Sequence, residues 1–600
     1  MRKGLMTSIL LALVGAGFWA AAATRLVPLY EMRREYNLQS KNPLQDPNMA
    51  SELRLPPVVL FTFRALAIDY LWIRADNLKD AGQYFDALHL AQIICTLQPN
   101  LDVVWDFQAW NMAYNISVAL PTAPQRWHWV QAGFELLRNQ GLRYNPHSLK
   151  IYRSLAWIFQ HKIGGISDDY HRYYKLQLAL EMTPLLKSLV TGEINSNEDL
   201  AALAGITSDW NKLKSDPQMT ALIDKIKQAE PKFVDDEEIF KGLLEIRVKP
   251  TSYTPGLHQL LADNRNNPAL KSLDAFIRAR ILRDQWHMDP ARMLRLNRKY
   301  GPVDFQNEDQ HLSLDWRLPF SHAIYWASSG LDTSKEKTGL GAMNLYRVVY
   351  QSLQDMYHYG KLEIITMTPL EPEPEQGREI LDKPKQYRMA LFNSEDLRMF
   401  PVAYDATQDF IQIYKDAGKE ISGGTTDFLG NLCRSGIISM YLADHKRTAQ
   451  KYLVHLRQLY PENKDHQVPL DSFVQRTMRE EIKTTITPKN ASDYILNLFR
   501  AMYRNYAMGN EEAAYVREQW AKQIHQELKL QHTDSDDPTE RLTLPPLPQL
   551  RMRALMDFLS DQRVDPVLQD VLLARLRSND PKLFEQIMAE WKKQNQPSGS

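Results

Sequence analysis

Residues 71–110 have the sequence LWIRADNLKDAGQYFDALHLAQIICTLQPNLDVVWDFQAW, which carries the pattern of a helical hairpin and the start of the next one. Gly82 separates two segments in which apolar residues recur at helix spacing, and Pro99 follows the second segment. These positions match the turn and the closing proline of a tetratricopeptide unit, a helix–turn–helix of about 34 residues. Ala75 and Ala87 fall where small side chains let two helices approach closely. Trp105 matches the opening of a following unit.

The composition favours helices and excludes one class of partner. Lys and Arg together number 72, as do Asp and Glu, so the formal net charge is zero. Nonspecific nucleic-acid binding needs a basic field that this chain lacks, and we expect no nucleic-acid partner. A chain of 600 residues is too long for one simple core, which predicts several packed units or a solenoid.

An uncharged segment lies near the N-terminus. Residues 4–24, GLMTSILLALVGAGFWAAAAT, are long and apolar enough to cross a bilayer as a helix. The preceding Arg2 and Lys3 are expected to stay in the cytoplasm, which sends the body across the inner membrane to the periplasmic side. Small residues at 20–23 leave a cleaved signal peptide as the alternative for residues 1–24. The proline-punctuated residues 25–57 are predicted to be a linker.

The predicted fold class is mainly α, a tetratricopeptide-like α-α superhelix or solenoid with one N-terminal transmembrane helix. A small β-hairpin is expected near 361–392, where residues 361–368 alternate like a strand and residues 386–392 could return beside it. The expected organisation of the body is tetratricopeptide-like repeats at 58–185, an irregular helical region at 186–300, a repeat-like hairpin with an inserted loop at 301–403, further repeats at 404–530, and a loop with capping helices at 531–600.

Three segments resemble a particular group of proteins. They are WDFQAWNMAYNIS at 105–117, WIFQHKIGGISDDYHRYYK at 157–175, and the YGP, DWR and HAIYWA pieces within 300–326. The chain resembles the membrane-anchored tetratricopeptide-like proteins of planctomycete-type bacteria over most of 58–330, and more loosely near 430–525. The resemblance implies a fold and a location but no reaction.

The sequence offers one candidate metal cluster, HKIGGISDDYH. It brings together His161, Asp168, Asp169 and His171. Imidazole and carboxylate ligands suit zinc, iron or manganese, although the spacing matches no metal motif. The structural alternative places His161 at the end of a helix, where a cation is favoured, and one of the two aspartates at the N-cap of the next helix. The structural alternative is preferred, so we expect no cofactor.

Two further sets of residues invite structural interpretations. In a second polar cluster, Asp315 and Arg317 are expected to pair, while His322 would lie on the groove face of a helix; the cluster also contains His311. The two cysteines, Cys95 and Cys433, lie inside apolar helical patterns and are predicted to be buried thiols.

The predicted function is non-catalytic. We expect a membrane-tethered scaffold or assembly factor that binds other proteins of the cell envelope in the solenoid groove. The contact residues predicted from repeat geometry are exposed positions of the first helices of the hairpins: Asn111, Tyr114, Arg153, Gln160 and Tyr325. Two alternatives are a metal-dependent enzyme or cofactor-associated subunit using the His161–His171 cluster, and a structural subunit of a larger membrane complex. The sequence does not determine the oligomeric state.

Overall fold

The computed structural model describes residues 57–367, 388–421, 423–485, 491–533, 544–561 and 564–594. This part of the chain is mainly helical, which confirms the predicted class. Within it, no helix combines the length and the apolar character that crossing a bilayer requires. The predicted anchor at 4–24 lies outside the described residues. The chain divides into two compact units, with the boundary between Ser154 and Leu155.

The first unit consists of helical hairpins. Its helices are α1 (Pro57–Asp80), α2 (Tyr84–Leu97), α3 (Asp102–Trp110) and α4 (Ala123–Glu135), and α5 (Leu149–Trp157) begins in it. Both α3 and α4 continue through a π-helical turn into a further short helical segment; these continuations are Asn111–Ile116 with Ser117–Ala119, and Leu136–Gly141 with Leu142–Tyr144. The hairpin predicted from residues 71–110 is therefore present.

Small and turn residues shape the first hairpin as the pattern predicts. Gly82 has a φ of +75° in the turn between α1 and α2, a conformation that glycine adopts at little cost. Ala75 and Ala87 are almost fully buried, so the two helices approach closely. The carbonyl oxygen of Pro99 accepts hydrogen bonds from the indole Nε1 of Trp105 and from Nδ2 of Asn145, both at 2.8 Å. The closing proline is thus bonded to the following hairpin.

The second unit begins with α5 continuing through a third π-helical turn, Ile158–Ile163. It then contains α6 (His171–Leu186), α7 (Asn197–Gly205), α8 (Trp210–Lys214), α9 (Pro217–Ala229), α10 (Asp236–Glu245), α11 (Pro255–Asp263), α12 (Pro268–Asp284) and α13 (Pro290–Tyr300). Polar residues of this region cap the helices. Each helix from α7 to α13 is preceded by an N-cap residue whose side chain accepts a backbone N–H of the first turn.

Two antiparallel hairpins interrupt the helices of the second unit. The first joins β1 (Val303–Asp304) to β2 (Asn307–His311) and was not expected from the sequence. After α14 (Pro319–Thr333) and α15 (Leu340–Tyr359), the second joins β3 (Lys361–Met367) to β4 (Arg388–Ser394), with Lys361 opposite Ser394. The β-hairpin predicted near 361–392 is thereby confirmed.

Further helices follow the second hairpin, and the last five of them pack around a C-terminal core. These further helices are α16 (Met399–Asp416), α17 (Gly423–Leu442), α18 (Lys446–Leu459), α19 (Leu470–Thr485), α20 (Ala491–Ala507), α21 (Glu511–Thr533), α22 (Leu547–Ser560), α23 (Pro566–Asn579) and α24 (Pro581–Gln594). The core is formed chiefly by apolar side chains from α20 to α24, and Phe392 of β4 joins it. The hairpin is therefore part of the packed unit.

One arrangement occurs twice in the second unit. A helix that ends in tyrosine is followed by glycine, an antiparallel hairpin, a Ser-x-Asp-x-Arg segment and a second helix. The first copy spans residues 290–333 and contains SLDWR at 313–317. The second spans residues 340–416 and contains SEDLR at 394–398. We call these the two Ser-x-Asp-x-Arg modules.

The glycine that precedes each hairpin is required by close packing. A Cβ atom at Gly301 would collide with the carbonyl oxygen of Leu312, and one at Gly360 would collide with the carbonyl oxygen of Met356. Both obstacles are backbone atoms, which cannot move aside as a flexible side chain could. The two modules therefore share a packing requirement as well as a sequence pattern.

Candidate functional site

The segment that the sequence proposed as a metal cluster forms part of a buried polar cluster in the second unit. This cluster consists of Gln160, Lys162, Asp168, His171, Lys175 and Asp355. The π-helical turn that follows α5 supplies the first two residues, the next loop supplies Asp168, and α6 and α15 supply the others. The π-helical turn matters because it shifts the direction of the side chains that follow it.

A buried ion pair joins the π-helical turn after α5 to the loop that follows it. The Nζ of Lys162 is 2.6 Å from Oδ2 of Asp168, and both side chains are only 3% exposed. The other carboxylate oxygen of Asp168 accepts the backbone N–H of Tyr170 at 2.9 Å and the hydroxyl of Tyr174 at 3.3 Å. A buried charge is tolerated when it is paired and hydrogen-bonded in this way.

Lys175 and His171 interact on one face of α6. The Nζ of Lys175 lies 3.1 Å from the carbonyl oxygen of Gly165 and 3.1 Å from Nδ1 of His171. Burial, together with the neighbouring charge of Lys175, lowers the pKa of His171 to about 4. Burial also lowers the pKa of Lys175 to about 8. A neutral imidazole can therefore accept a hydrogen bond from the ammonium group at neutral pH.

Asp355 completes the cluster from α15. Burial raises the pKa of its carboxyl group to about 6, against the opposing effects of Gln160 and Lys175. The Nε2 of Gln160 lies 3.5 Å from Oδ2 of Asp355, at the limit of a hydrogen bond. Perturbed groups that lie together can mark a functional site, but networks of structural ion pairs perturb pKa values in the same way.

The metal hypothesis finds no geometric support. No three His, Cys, Asp or Glu side chains among the described residues are placed to hold a metal ion. Asp168 is bonded to Lys162, Asp169 is exposed, and the ring of His161 stacks on Trp157 with the ring centroids 4.8 Å apart. The expected N-cap is also displaced, because Tyr170 precedes α6 and Asp168 instead accepts the Tyr170 N–H.

The predicted partner-contact residues divide into two groups. Asn111, Gln160 and Tyr325 are buried, being 1%, 7% and 3% exposed, so the expectation that they face solvent is wrong. Arg153 is exposed and Tyr114 is partly exposed. Only these last two can meet a partner without a change in the fold.

The buried members have structural roles. The Nδ2 of Asn111 donates to the carbonyl oxygen of Tyr84 at 3.2 Å and so joins α3 to α2. The hydroxyl of Tyr325 accepts the backbone N–H of Asp289 at 2.8 Å, at the start of α13. A polar side chain at a helix position gives the same sequence signal whether it faces solvent or bonds to a neighbouring helix.

The members of the second polar cluster make contacts within the fold. Arg317 pairs with Asp315 at 2.6 Å, as expected. His322 is fully buried, which corrects its predicted place on a groove face. Its Nε2 lies 2.9 Å from the carbonyl oxygen of Trp316, and its ring stacks on Phe159.

An aromatic surface is exposed on the first unit, and we define it as Phe85, Trp110, Tyr114 and Trp129. Trp110 is 47% exposed and stacks on Tyr114 with the ring centroids 4.1 Å apart. Phe85 is 56% exposed and meets Trp129 edge to face at 5.5 Å. The hydrogen bond from Asn111 to Tyr84 joins the two helical segments next to Trp110 and Phe85.

A second apolar feature lies on α1. Leu66, Tyr70 and Ile73 are each more than 60% exposed and are separated by four and three residues. This spacing aligns them along one face of the helix. We call them the α1 stripe. Isolated exposed apolar residues are ordinary, but an aligned set marks a candidate contact surface.

The cysteines match their predicted role. Cys95 and Cys433 are both buried and neither forms a disulfide. Burial raises the pKa of each thiol to about 12. A thiol with so high a pKa is a poor nucleophile, so neither residue contributes to a reactive site.

Comparison with known proteins adds no assignment. No protein-family model matches the chain, and no curated protein matches it.

Proposed function

We propose that the protein is a non-catalytic scaffold or assembly factor that binds other proteins of the cell envelope. In this proposal the helical hairpins form a tetratricopeptide-like superhelix. Residues 4–24 tether the chain to the inner membrane as a single span, and the body lies on the periplasmic side. The aromatic surface of the first unit is the contact region, and it is the observation that carries the proposal.

The aromatic surface has the chemistry of a protein–protein contact. Tryptophan and tyrosine are enriched among the residues that contribute most to binding, because they bury a large area with few rotatable bonds. The stacking of Trp110 on Tyr114 fixes both rings before a partner arrives. Less side-chain entropy is then lost on binding, which favours affinity.

The α1 stripe supports the same function. In a stack of helical hairpins each unit covers the apolar face of its neighbour, and a terminal unit usually carries a polar outer face. Here the first described helix instead exposes Leu66, Tyr70 and Ile73. A protein partner that covers this stripe would bury apolar area that the described chain leaves in contact with water.

The stripe also favours a second candidate, a structural subunit of a larger membrane complex. Such a subunit would have a permanent neighbour over a large apolar area, whereas a scaffold would exchange partners at a smaller surface. The metal-dependent enzyme hypothesis has no comparable support, because the carboxylate of Asp168 is bonded to Lys162, Tyr170 and Tyr174.

Co-purification of the full chain from its native membrane in a mild detergent tests the proposal. The double variant Trp110→Ala with Tyr114→Ala should lose a set of proteins that the wild type retains, as identified by mass spectrometry. Tyr515→Ala is the matched control, because Tyr515 is 50% exposed but lies on α21 of the second unit. Identical protein sets for the wild type and the double variant would refute the contact region.

The location is tested separately from the contact. In spheroplasts, protease added outside should digest the body if it lies on the periplasmic side, while a cytoplasmic marker protein stays intact. Protection of the body until the membrane is dissolved would contradict the proposed topology.

A further inference from the structure

The two Ser-x-Asp-x-Arg modules meet at one cavity in the second unit. The cavity has a volume of about 460 Å³. It is lined by Asp315 and Arg317 of the first module and by Asp396 and Arg398 of the second. Two segments that lie 81 positions apart in sequence therefore present the same residue types to one space.

In the first module the aspartate orients the arginine. Oδ1 of Asp315 accepts both the backbone N–H and the Nε–H of Arg317, at 3.0 and 2.9 Å. Oδ2 of Asp315 accepts from Nη2 at 2.6 Å. This bidentate contact uses the Nε edge of the guanidinium group and fixes its plane. The Nδ2 of Asn195 also donates to Asp315, which holds the carboxylate in place.

The second module repeats this geometry. Oδ1 of Asp396 accepts the backbone N–H of Arg398 at 3.2 Å and its Nε–H at 2.8 Å, and Oδ2 accepts from Nη2 at 2.8 Å. The Asp396 residue is only 2% exposed, so the second arginine is anchored to a buried carboxylate. The hydrogen bond from the Val303 N–H to the Arg398 carbonyl oxygen, at 3.1 Å, joins the two modules directly.

The contacts with aspartate use only the Nε and Nη2 atoms of each guanidinium group. The Nη1 atoms of Arg317 and Arg398 make no hydrogen bond to any part of the chain that the structure describes. The Nη1–Nη2 end of a guanidinium group can bind two oxygens of a carboxylate or phosphate. Because the aspartates fix both side chains, little conformational entropy remains to be lost on binding.

We propose that this cavity binds a small molecule that carries a carboxylate or phosphate group, held between Arg317 and Arg398. Lys361 adds a third cation to the lining, where its Nζ also contacts Glu512 at 3.5 Å and Asn510 at 3.0 Å. Gln310 adds a neutral amide side chain. The proposal does not depend on the protein contacts of the first unit.

The charge balance limits the ligand to a small oxyanion. The lining contains three cations and three carboxylates, those of Asp315, Asp396 and Glu198, and Lys361 also pairs with Glu512. The cavity therefore has no strong net field and does not suit a polyanion. Its selectivity comes instead from the fixed direction of the arginine donors, which a planar or tetrahedral oxyanion can use and a neutral molecule uses less well.

A purely structural role would explain each aspartate–arginine pair, but it would not explain why both pairs line the same cavity. An aspartate that bonds to an arginine two residues later stabilises the turn between a hairpin and a helix. That role needs no cavity and would be satisfied if the two modules faced different parts of the surface. The presence of both arginines in the lining of one cavity is the observation that points to a ligand.

Isothermal titration calorimetry of the full chain in detergent tests the proposal, with a buffer free of carboxylate and phosphate. Inorganic phosphate and citrate are the two probes, and binding of one alone identifies the oxyanion class. We expect saturable binding of at least one probe. The variants Arg317→Lys and Arg398→Lys keep the charge but lose the guanidinium fork, and each should weaken that binding at least tenfold.

Arg292→Lys is the matched control. The side chain of Arg292 is 17% exposed and pairs with Asp332, whereas that of Arg317 is 16% exposed, but Arg292 does not line the cavity. The control should bind the probe as the wild type does, and circular dichroism should show unchanged helix content in all three variants. Absence of saturable binding by both probes would overturn the proposal, as would equal weakening in the control.

Discussion

The ion pair between Lys162 and Asp168 allows a quantitative test of the buried polar cluster. The change Asp168→Ala removes the carboxylate that lies 2.6 Å from the ammonium group of Lys162, whose side chain is 3% exposed. The variant loses the attraction between the two charges, but the ammonium group still carries the cost of being removed from water. We therefore expect a large local destabilisation.

The magnitude follows from the distance. With an effective dielectric constant of about 20, two unit charges 2.6 Å apart attract each other by about 6 kcal/mol. The cost of removing one partner of a buried pair is smaller than this attraction, about 3–5 kcal/mol, because the remaining charge can move toward water or lose its proton. The double variant Lys162→Met with Asp168→Leu removes both charges and should cost less than Asp168→Ala alone.

Hydrogen exchange at the amides of α6 is the suitable assay. A chain of 600 residues in two units need not unfold in one step, so a single free energy of unfolding for the whole protein would not be defined. Exchange instead reports the free energy of local opening. Asp169→Ala is the matched control, because Asp169 is adjacent but exposed. If Asp168→Ala changed the exchange no more than Asp169→Ala, the reasoning would be refuted.

Three further predictions concern pH, packing and reactivity. The pKa of His171 is lowered to about 4 in the folded state, so its contribution to stability is present above about pH 6.5 and lost as the pH falls toward 4. His171→Gln should therefore reduce the pH dependence of the local opening of α6, measured by hydrogen exchange corrected for the intrinsic exchange rate at each pH. Gly436→Ala places a methyl group against the ring of Phe400 and should destabilise α17 by about 1–3 kcal/mol, seen as faster hydrogen exchange there, whereas Gly424→Ala on the same helix meets no atom within 4 Å and should not. The two cysteine thiols should react with a thiol reagent only after denaturation, and rapid labelling of the native protein would contradict their burial.

Local rules predicted the first helical hairpin and the β3–β4 hairpin. The Gly82 turn needs a positive φ, and glycine adopts it without strain, so this turn follows from the residue itself. The alternation in residues 361–367 likewise predicts a strand whatever lies around it, and the structure pairs that strand with β4. These sequence patterns predict the structure because they depend only on residues a few positions away in the chain.

The same reasoning could not predict which side chains are buried. The spacing of residues around a helix shows which of them share a face, but it does not show which neighbour covers that face. For this reason the sequence predicted exposed positions for Asn111 and Tyr325, although both bond to neighbouring segments in the folded chain. Only the tertiary structure distinguishes a polar residue that faces solvent from one that joins two helices.

The sequence by itself determined the helical class, the first hairpins and the pairing of Asp315 with Arg317, because each depends on short separations along the chain. The tertiary structure alone decided which distant groups meet. It placed Asp355 within 3.5 Å of Gln160 across 195 positions, and it brought SLDWR and SEDLR to one cavity. Both segments are visible in the sequence, but their meeting depends on how two hairpins and four helices pack, and no local pattern encodes that packing.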